Sequence, residues 1–507
     1  MINNVVWYLE NSAKLYPEKI AFFTQDESIN YADLLDKSKR IASFLLYHKT
    51  KPNSIVAIYM NKNIDCIAMI FGCAMARVAY AFIDIDHPKN RIEKMLEIIE
   101  PKFIFTNTAL FDDIAKITNR EIVDIAKALN YEIQNDVLEK IKKQYLSCDI
   151  LNVVFTSGST GLPKAVVKTH SNVLYFIPVF VNEFKFSSDD IFANQAPLDF
   201  DVSSKDIYSA VYLGASVFLI DKCLFTSPVK LVELLMQYKI SILIWAVSAL
   251  TLLSSFRVFK YCTPLDIKKV LFSGEVMPLN QLDIWQKNLP KTEFINLYGP
   301  SEILGNCTFY ELKKDYYKKG KNIPIGNAFG GQKVFLLAFD NDGKPYEVKR
   351  KDEIGEICIS GPNVALGYYK DFKRTNEAFI QNPLNSKYYE RIYKTGDMGK
   401  YNEHGQLVFQ GRNDFQIKHL GRRIELEDIE ITTMGIKGIE LACAIYECDK
   451  IYLFYSGMLS VDDLIQYLKN QLISYMLPSV FFKLENLPLN KNGKIDRAKL
   501  REMIYEK

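Results

Sequence analysis

The chain has 507 residues, too many for one hydrophobic core and enough for two to four domains. Its formal net charge of +3, with 48% hydrophobic and 24% charged residues, is ordinary for a globular protein and lacks the concentrated basic face that nucleic-acid binding requires. The nine cysteines are scattered with no CxxC pair and the five histidines lie far apart, which argues against a zinc site and fits a reducing cytoplasm better than a disulfide framework.

Residues 1–15 carry Glu10 and Lys14 and no apolar core, so no signal peptide is expected. Leu34, Leu35, Ile41, Leu45 and Leu46 recur at helical spacing and predict an amphipathic helix over 31–47. An apolar strand at 55–59 and a helix over 64–75 follow, with further buried strands at 102–105 and 152–155. The apolar runs 66–76 and 240–256 fall short of the roughly twenty residues a membrane span needs. Each is read as a buried strand leading into a buried helix, and no transmembrane segment is expected. A helix is expected over 203–213. Strands alternating with helices argue for an α/β fold with largely parallel sheets. From 334 to 411 short strands separated by turn signals such as Asp340-Asn341-Asp342-Gly343 predict a β-rich subdomain. The expected architecture is thus a large N-terminal α/β domain, 1–411, containing that subdomain, and a small α+β C-terminal domain, 412–507. The lysines and aspartates spread along the chain are read as solvated surface.

The strongest local signal is Thr156-Ser157-Gly158-Ser159-Thr160-Gly161-Leu162-Pro163-Lys164, directly after the strand at 152–155. Its glycines permit close backbone approach, its hydroxyls and N–H groups can surround phosphate oxygens, and Lys164 adds positive charge. The Walker A pattern cannot be laid over it. The segment resembles the phosphate loop of the adenylate-forming superfamily, which includes acyl-CoA synthetases and peptide-synthetase adenylation domains.

Four further segments resemble that superfamily's motifs in order: Asn296 to Glu302 the adenine and magnesium motif, Tyr393 to Asp397 the ribose motif, Gly411 to Glu425 the hinge and the loop after it, and Asn490 to Asp496 the catalytic-lysine motif. The resemblance implies ATP and Mg²⁺. Asn296 would bond the adenine edge and Tyr298 stack on its face beside Gly299. Ser301 and Glu302 offer hard oxygens for the metal, Glu302 being the expected ligand. Asp397 would accept both ribose hydroxyls, and Arg412 would contact ribose or phosphate. Lys494 would bind the substrate carboxylate and stabilise charge as it attacks the α-phosphate. Asp414 is the expected hinge of a mobile C-terminal domain, and Gly421 lies on the loop expected to line a thiol tunnel.

The substrate class rests on Phe200-Asp201-Val202-Ser203. In amino-acid-activating members, this aspartate pairs with the α-ammonium; a helix cap at 203–213 is the alternative, and one carboxylate can do both. The closest resemblance within the family is to D-alanine–carrier protein ligases, with Ser273, before Gly274, standing where those carry a pocket cysteine. Glycine, alanine or serine of either hand is the expected substrate, with Ser273 and Gly274 lining its site. No phosphopantetheine site is visible, so the expected acceptor is a phosphopantetheinylated carrier protein in trans, with coenzyme A as the alternative.

Overall fold

The structure, a computed structural model, describes residues 2–157, 162–314, 323–412, 416–489 and 495–505. Helix Tyr31–Tyr47 matches its expected bounds, as does Ile64–Met75. Both begin at an asparagine whose side chain answers an orphan amide: Asn30 accepts from Asp33 N–H at 2.8 Å and Asn63 from Cys66 N–H at 3.0 Å. The apolar run 240–256 is the strand Ile242–Ala246 followed by the helix Val247–Ser255. The run 66–76 is not a strand leading into a helix. It is helical nearly throughout, and its strand is the separate Ile55–Ile58. No helix among the described residues is long and apolar enough to cross a membrane.

The chain is a mixed α/β protein that divides into two units. One comprises Met1–Ile85, Ile99–Val154 and Ala165–Gly411; the other comprises Asp86–Ile98, Phe155–Lys164 and Arg412–Lys507.

The first unit carries two large sheets. In a nine-stranded sheet, Glu293–Tyr298, Lys269–Ser273, Ile242–Ala246, Ile191–Asn194, Ser216–Leu219 and Ile20–Phe23 run parallel, in that order. Antiparallel strands flank this block, with Thr308–Glu311 on one side and Ser28–Asn30 on the other. A seven-stranded sheet includes Ile150–Thr156, Ala79–Phe82, Ile55–Ile58 and Ile104–Thr106 as parallel neighbours. Strands with both faces covered are apolar at nearly every position, as Ile242-Leu243-Ile244-Trp245 is here. The main core joins side chains of both sheets with the helices His170–Glu183 and Val202–Leu213. A second core covers the other face of the nine-stranded sheet. From Lys333 to Arg412 an antiparallel sheet forms around Lys333–Phe339, Gly355–Ser360 and Arg391–Tyr401. Its core takes in Tyr298 and Val166 from the ends of the two large sheets.

In the second unit the hairpin Gln416–His419/Arg422–Glu425 leads into helix Leu426–Met434. A three-stranded sheet of Ile439–Glu447, Lys450–Gly457 and Val480–Lys483 follows. Helix Val461–Lys469 buries Leu464 and Leu468 in that unit's core.

Candidate active site

The strand Glu293–Tyr298 delivers Asn296 and Tyr298 to the end of the nine-stranded sheet, where the loop 299–307 turns back. Tyr298 is buried, and its phenol donates to the carboxylate of Asp397, 99 residues away on Arg391–Tyr401. Burial first, and then the Asp397 charge, push the Tyr298 phenol far above its ordinary range, so it stays a donor. The Asp397 amide in turn donates to Thr395 Oγ1 at 3.0 Å. The adenine-type and ribose-type motifs therefore meet through side-chain hydrogen bonding. Asn296 commits its amide N–H to the Pro324 carbonyl at 2.8 Å, which holds its carboxamide in one orientation.

Glu302 is fully buried, and Tyr368 donates its hydroxyl to Glu302 Oε1 at 2.7 Å. An oriented, hard carboxylate of this kind fits a Mg²⁺ ligand. The loop is pinned from both sides, with Leu304 N–H on the Asn363 carbonyl and Ala365 N–H on the Glu302 carbonyl. It also folds back on itself: a Cβ at Gly299 would stand 2.8 Å from Asn306 Cα, which only glycine avoids.

Asp201 precedes helix Val202–Leu213 but makes no side-chain cap bond, so the capping alternative is not realised. Its carboxylate instead accepts the Gly305 amide on Oδ2 at 3.0 Å and pairs through Oδ1 with the ammonium of Lys168. Both partners are sealed, Lys168 at 0% and Asp201 at 9% side-chain exposure. One turn into the helix, the buried Lys205 donates to Asn306 Oδ1 at 2.7 Å, and burial lowers its proton affinity. The buried Asp206 accepts from Asn194 Nδ2 at 2.9 Å while its other oxygen lacks a hydrogen-bond partner among the described residues, and burial raises its carboxyl. Lys62 caps the same corner, donating to the Asn194, Gln195 and Ala196 carbonyls. Ser273 ends its strand in a buried position, and Gly274 follows at φ +99°.

In the second unit, the Thr156 hydroxyl is buried and has no hydrogen-bond partner among the described residues. Ser157 donates to the Arg423 carbonyl at 2.8 Å, and Lys164 pairs with Glu425 at 3.0 Å. Gly421 sits in the hairpin turn at φ +74°, and Arg412 ends the strand Leu407–Arg412. Gly158, Ser159, Thr160, Gly161, Asp414 and Lys494 lie outside the described residues.

Lys168, Lys205, Asp206 and Asn306 escaped the sequence reading, which took lysines as solvated. The available signal was positional. Lys168 follows Ala165-Val166-Val167 in a strand with no polar face, and Lys205-Asp206 interrupts a helix otherwise lined by small and apolar residues.

Comparison with known proteins agrees with this geometry. The family model described as AMP-binding enzyme matches residues 9–369. Zwittermicin A synthase ZmaJ of Bacillus cereus is 30% identical over 500 residues, covering 96% of this chain and 92% of that protein. Gramicidin S synthase 2 of Brevibacillus brevis is 30% identical over 491 residues, but the chain spans only 11% of its length. Among solved structures, the Vibrio cholerae adenylation domain AlmE in complex with glycyl-adenosine-5'-phosphate shares the fold, with a TM-score of 0.85, 19% identity and coverage of 100% of this chain and 98% of that one. The chain is a member of the AMP-binding enzyme family.

Proposed function

We propose that the chain is an AMP-forming ligase that activates a small amino acid with ATP and passes it to the phosphopantetheine thiol of a separate carrier protein, in the manner of D-alanine–carrier protein ligases. The substrate carboxylate attacks the α-phosphorus of ATP, the bond to the bridging oxygen breaks, and pyrophosphate leaves with the electron pair. The acceptor thiolate then attacks the acyl carbon of the mixed anhydride, and AMP departs.

The observation that carries the reading is the Tyr298–Asp397 bond, which joins two of the nucleotide motifs, beside a loop whose Gly305 amide also holds Asp201. Asp201 is the candidate partner of the substrate amino group, because it stands in Phe200-Asp201-Val202-Ser203 at the position where amino-acid-activating members carry the ammonium-pairing aspartate. Glu302 would hold Mg²⁺, which supplies charge neutralisation at the phosphates. Ser157, Lys164 and the glycine loop would receive the phosphates, Arg412 the ribose or phosphate, and Ser273 with Gly274 the substrate side chain. Lys494 is the proposed catalytic cation, Asp414 the hinge and Gly421 part of the thiol tunnel. A cytoplasmic setting accords with nine unpaired cysteines.

An ATP–pyrophosphate exchange panel over D- and L-amino acids tests this. Exchange with glycine, alanine or serine is expected. Exchange with acetate or benzoate and no amino acid would instead identify an acyl ligase, and ATP binding without any adenylate would identify a scaffold. Ser273→Cys is expected to shift preference toward D-alanine by about tenfold, since one pocket contact is worth about 1–3 kcal/mol.

A further inference from the structure

We infer that Lys168 is a resident cation in the amino-group site, so that uptake of the substrate's ammonium expels one proton from the complex; this rests on the reading of Asp201 as that site. Both oxygens of Asp201 already have partners, Oδ1 the Lys168 ammonium and Oδ2 the Gly305 amide. Neither Lys168 nor Asp201 has the solvent access that would screen an added charge. A substrate ammonium seated on the same carboxylate stands beside Lys168, and two like charges that close in a dry site repel strongly. Loss of one proton relieves the repulsion.

Further ionisable groups stand near the pair. Lys205, on the helix that Asp201 precedes, is a second buried lysine and donates to the neutral Asn306 carboxamide. Asp206 faces Asn194 rather than Lys168, and burial raises it toward the neutral acid, while a further carboxylate, Asp221, acts on Lys62. Lys62 approaches from the loop before helix Ile64–Met75 and donates to Asn194. Tyr80, on strand Ala79–Phe82, and Tyr208 share a 2.9 Å hydroxyl contact and are kept neutral by burial, so neither absorbs the charge. The departing proton belongs to this coupled set of amines and Asp206 rather than to a single atom. An acid with a hydroxyl in place of the amine adds no cation and expels none.

Isothermal titration of the full chain tests the inference, using the amino acid that best supports exchange, at pH 7.5, in phosphate and in Tris, whose ionisation enthalpies differ. About one proton released per site is expected, and KM for the amino acid in exchange should fall about tenfold per pH unit between pH 6.5 and 8, the slope for one linked proton. The matching 2-hydroxy acid should bind without proton release. Lys168→Met should abolish the release and flatten the pH profile. An amino acid that supports exchange yet binds with no proton release and a pH-independent KM overturns the inference, as does a Lys168→Met enzyme that still releases the proton. If Lys168→Met does not fold, the wild-type proton count and the 2-hydroxy acid decide alone. Failure of the underlying reading looks different: no amino acid supports exchange at all.

Discussion

Asp201 and Lys168 stabilise one another only as a pair. Removing the carboxylate by Asp201→Ala leaves a buried, uncompensated ammonium and is expected to cost about 3–5 kcal/mol, as well as abolishing amino-acid exchange. Adding Lys168→Met on that background should restore most of the stability, because a buried ion pair replaced by apolar side chains is often near neutral. Urea midpoints of the single and double variants measure this; equal destabilisation in both would show that the two charges do not interact. His170 supplies the residue-scale pH dependence. It is buried with its Nδ1 accepting the Val5 amide at 3.4 Å, and burial lowers its pKa from 6.5 to about 4. The unfolded chain therefore binds the proton more readily between those values. Stability from this group is complete above about pH 6.5 and lost as pH falls toward 4, a change of about 3 kcal/mol. Urea unfolding at pH 7.5 and 5 should show about 2 kcal/mol of that loss, and His170→Gln should reduce the difference.

At the scale of elements, the loop 299–307 links the nucleotide motifs to the Asp201 site. Gly305 holds φ +70°, and a Cβ there would meet Phe176 at 2.2 Å. Gly305→Ala is expected to destabilise by about 2–4 kcal/mol, through the left-handed backbone and the overpacked ring together. It should also raise KM for the amino acid, because the Gly305 amide that orients Asp201 moves with the loop; a melting curve and exchange kinetics report the two effects. The elements themselves were largely legible. Helix 31–47 carries apolar periodicity and an asparagine cap, so local signals agree with the fold. The run 66–76 was misdivided because a helix buried on nearly all sides has no polar face to reveal its period. In the candidate site, motif order singled out Tyr298, Glu302 and Asp397. Lys168 and Lys205 were not, because a lysine shows its burial only through the walls that neighbouring elements build around it.

At the scale of the whole molecule, the proposed chemistry draws on both ends of the chain. Lys494→Ala is expected to lower the adenylation rate by about 10²–10³-fold, the usual loss when one charge-stabilising group is removed, with the melting temperature unchanged. Exchange assays set beside a thermal scan separate this from a folding defect. What the sequence alone determined is the order and spacing of the nucleotide motifs, the α/β alternation and most element bounds, since those depend on local periodicity and short-range backbone chemistry. Only the tertiary structure decided that Tyr298 bonds Asp397, that Asp201 forgoes its helix cap, and that Lys168 already neutralises it. These partners lie 33 to 104 residues apart, and which charge meets which is set by how the sheets and helices exclude water between them.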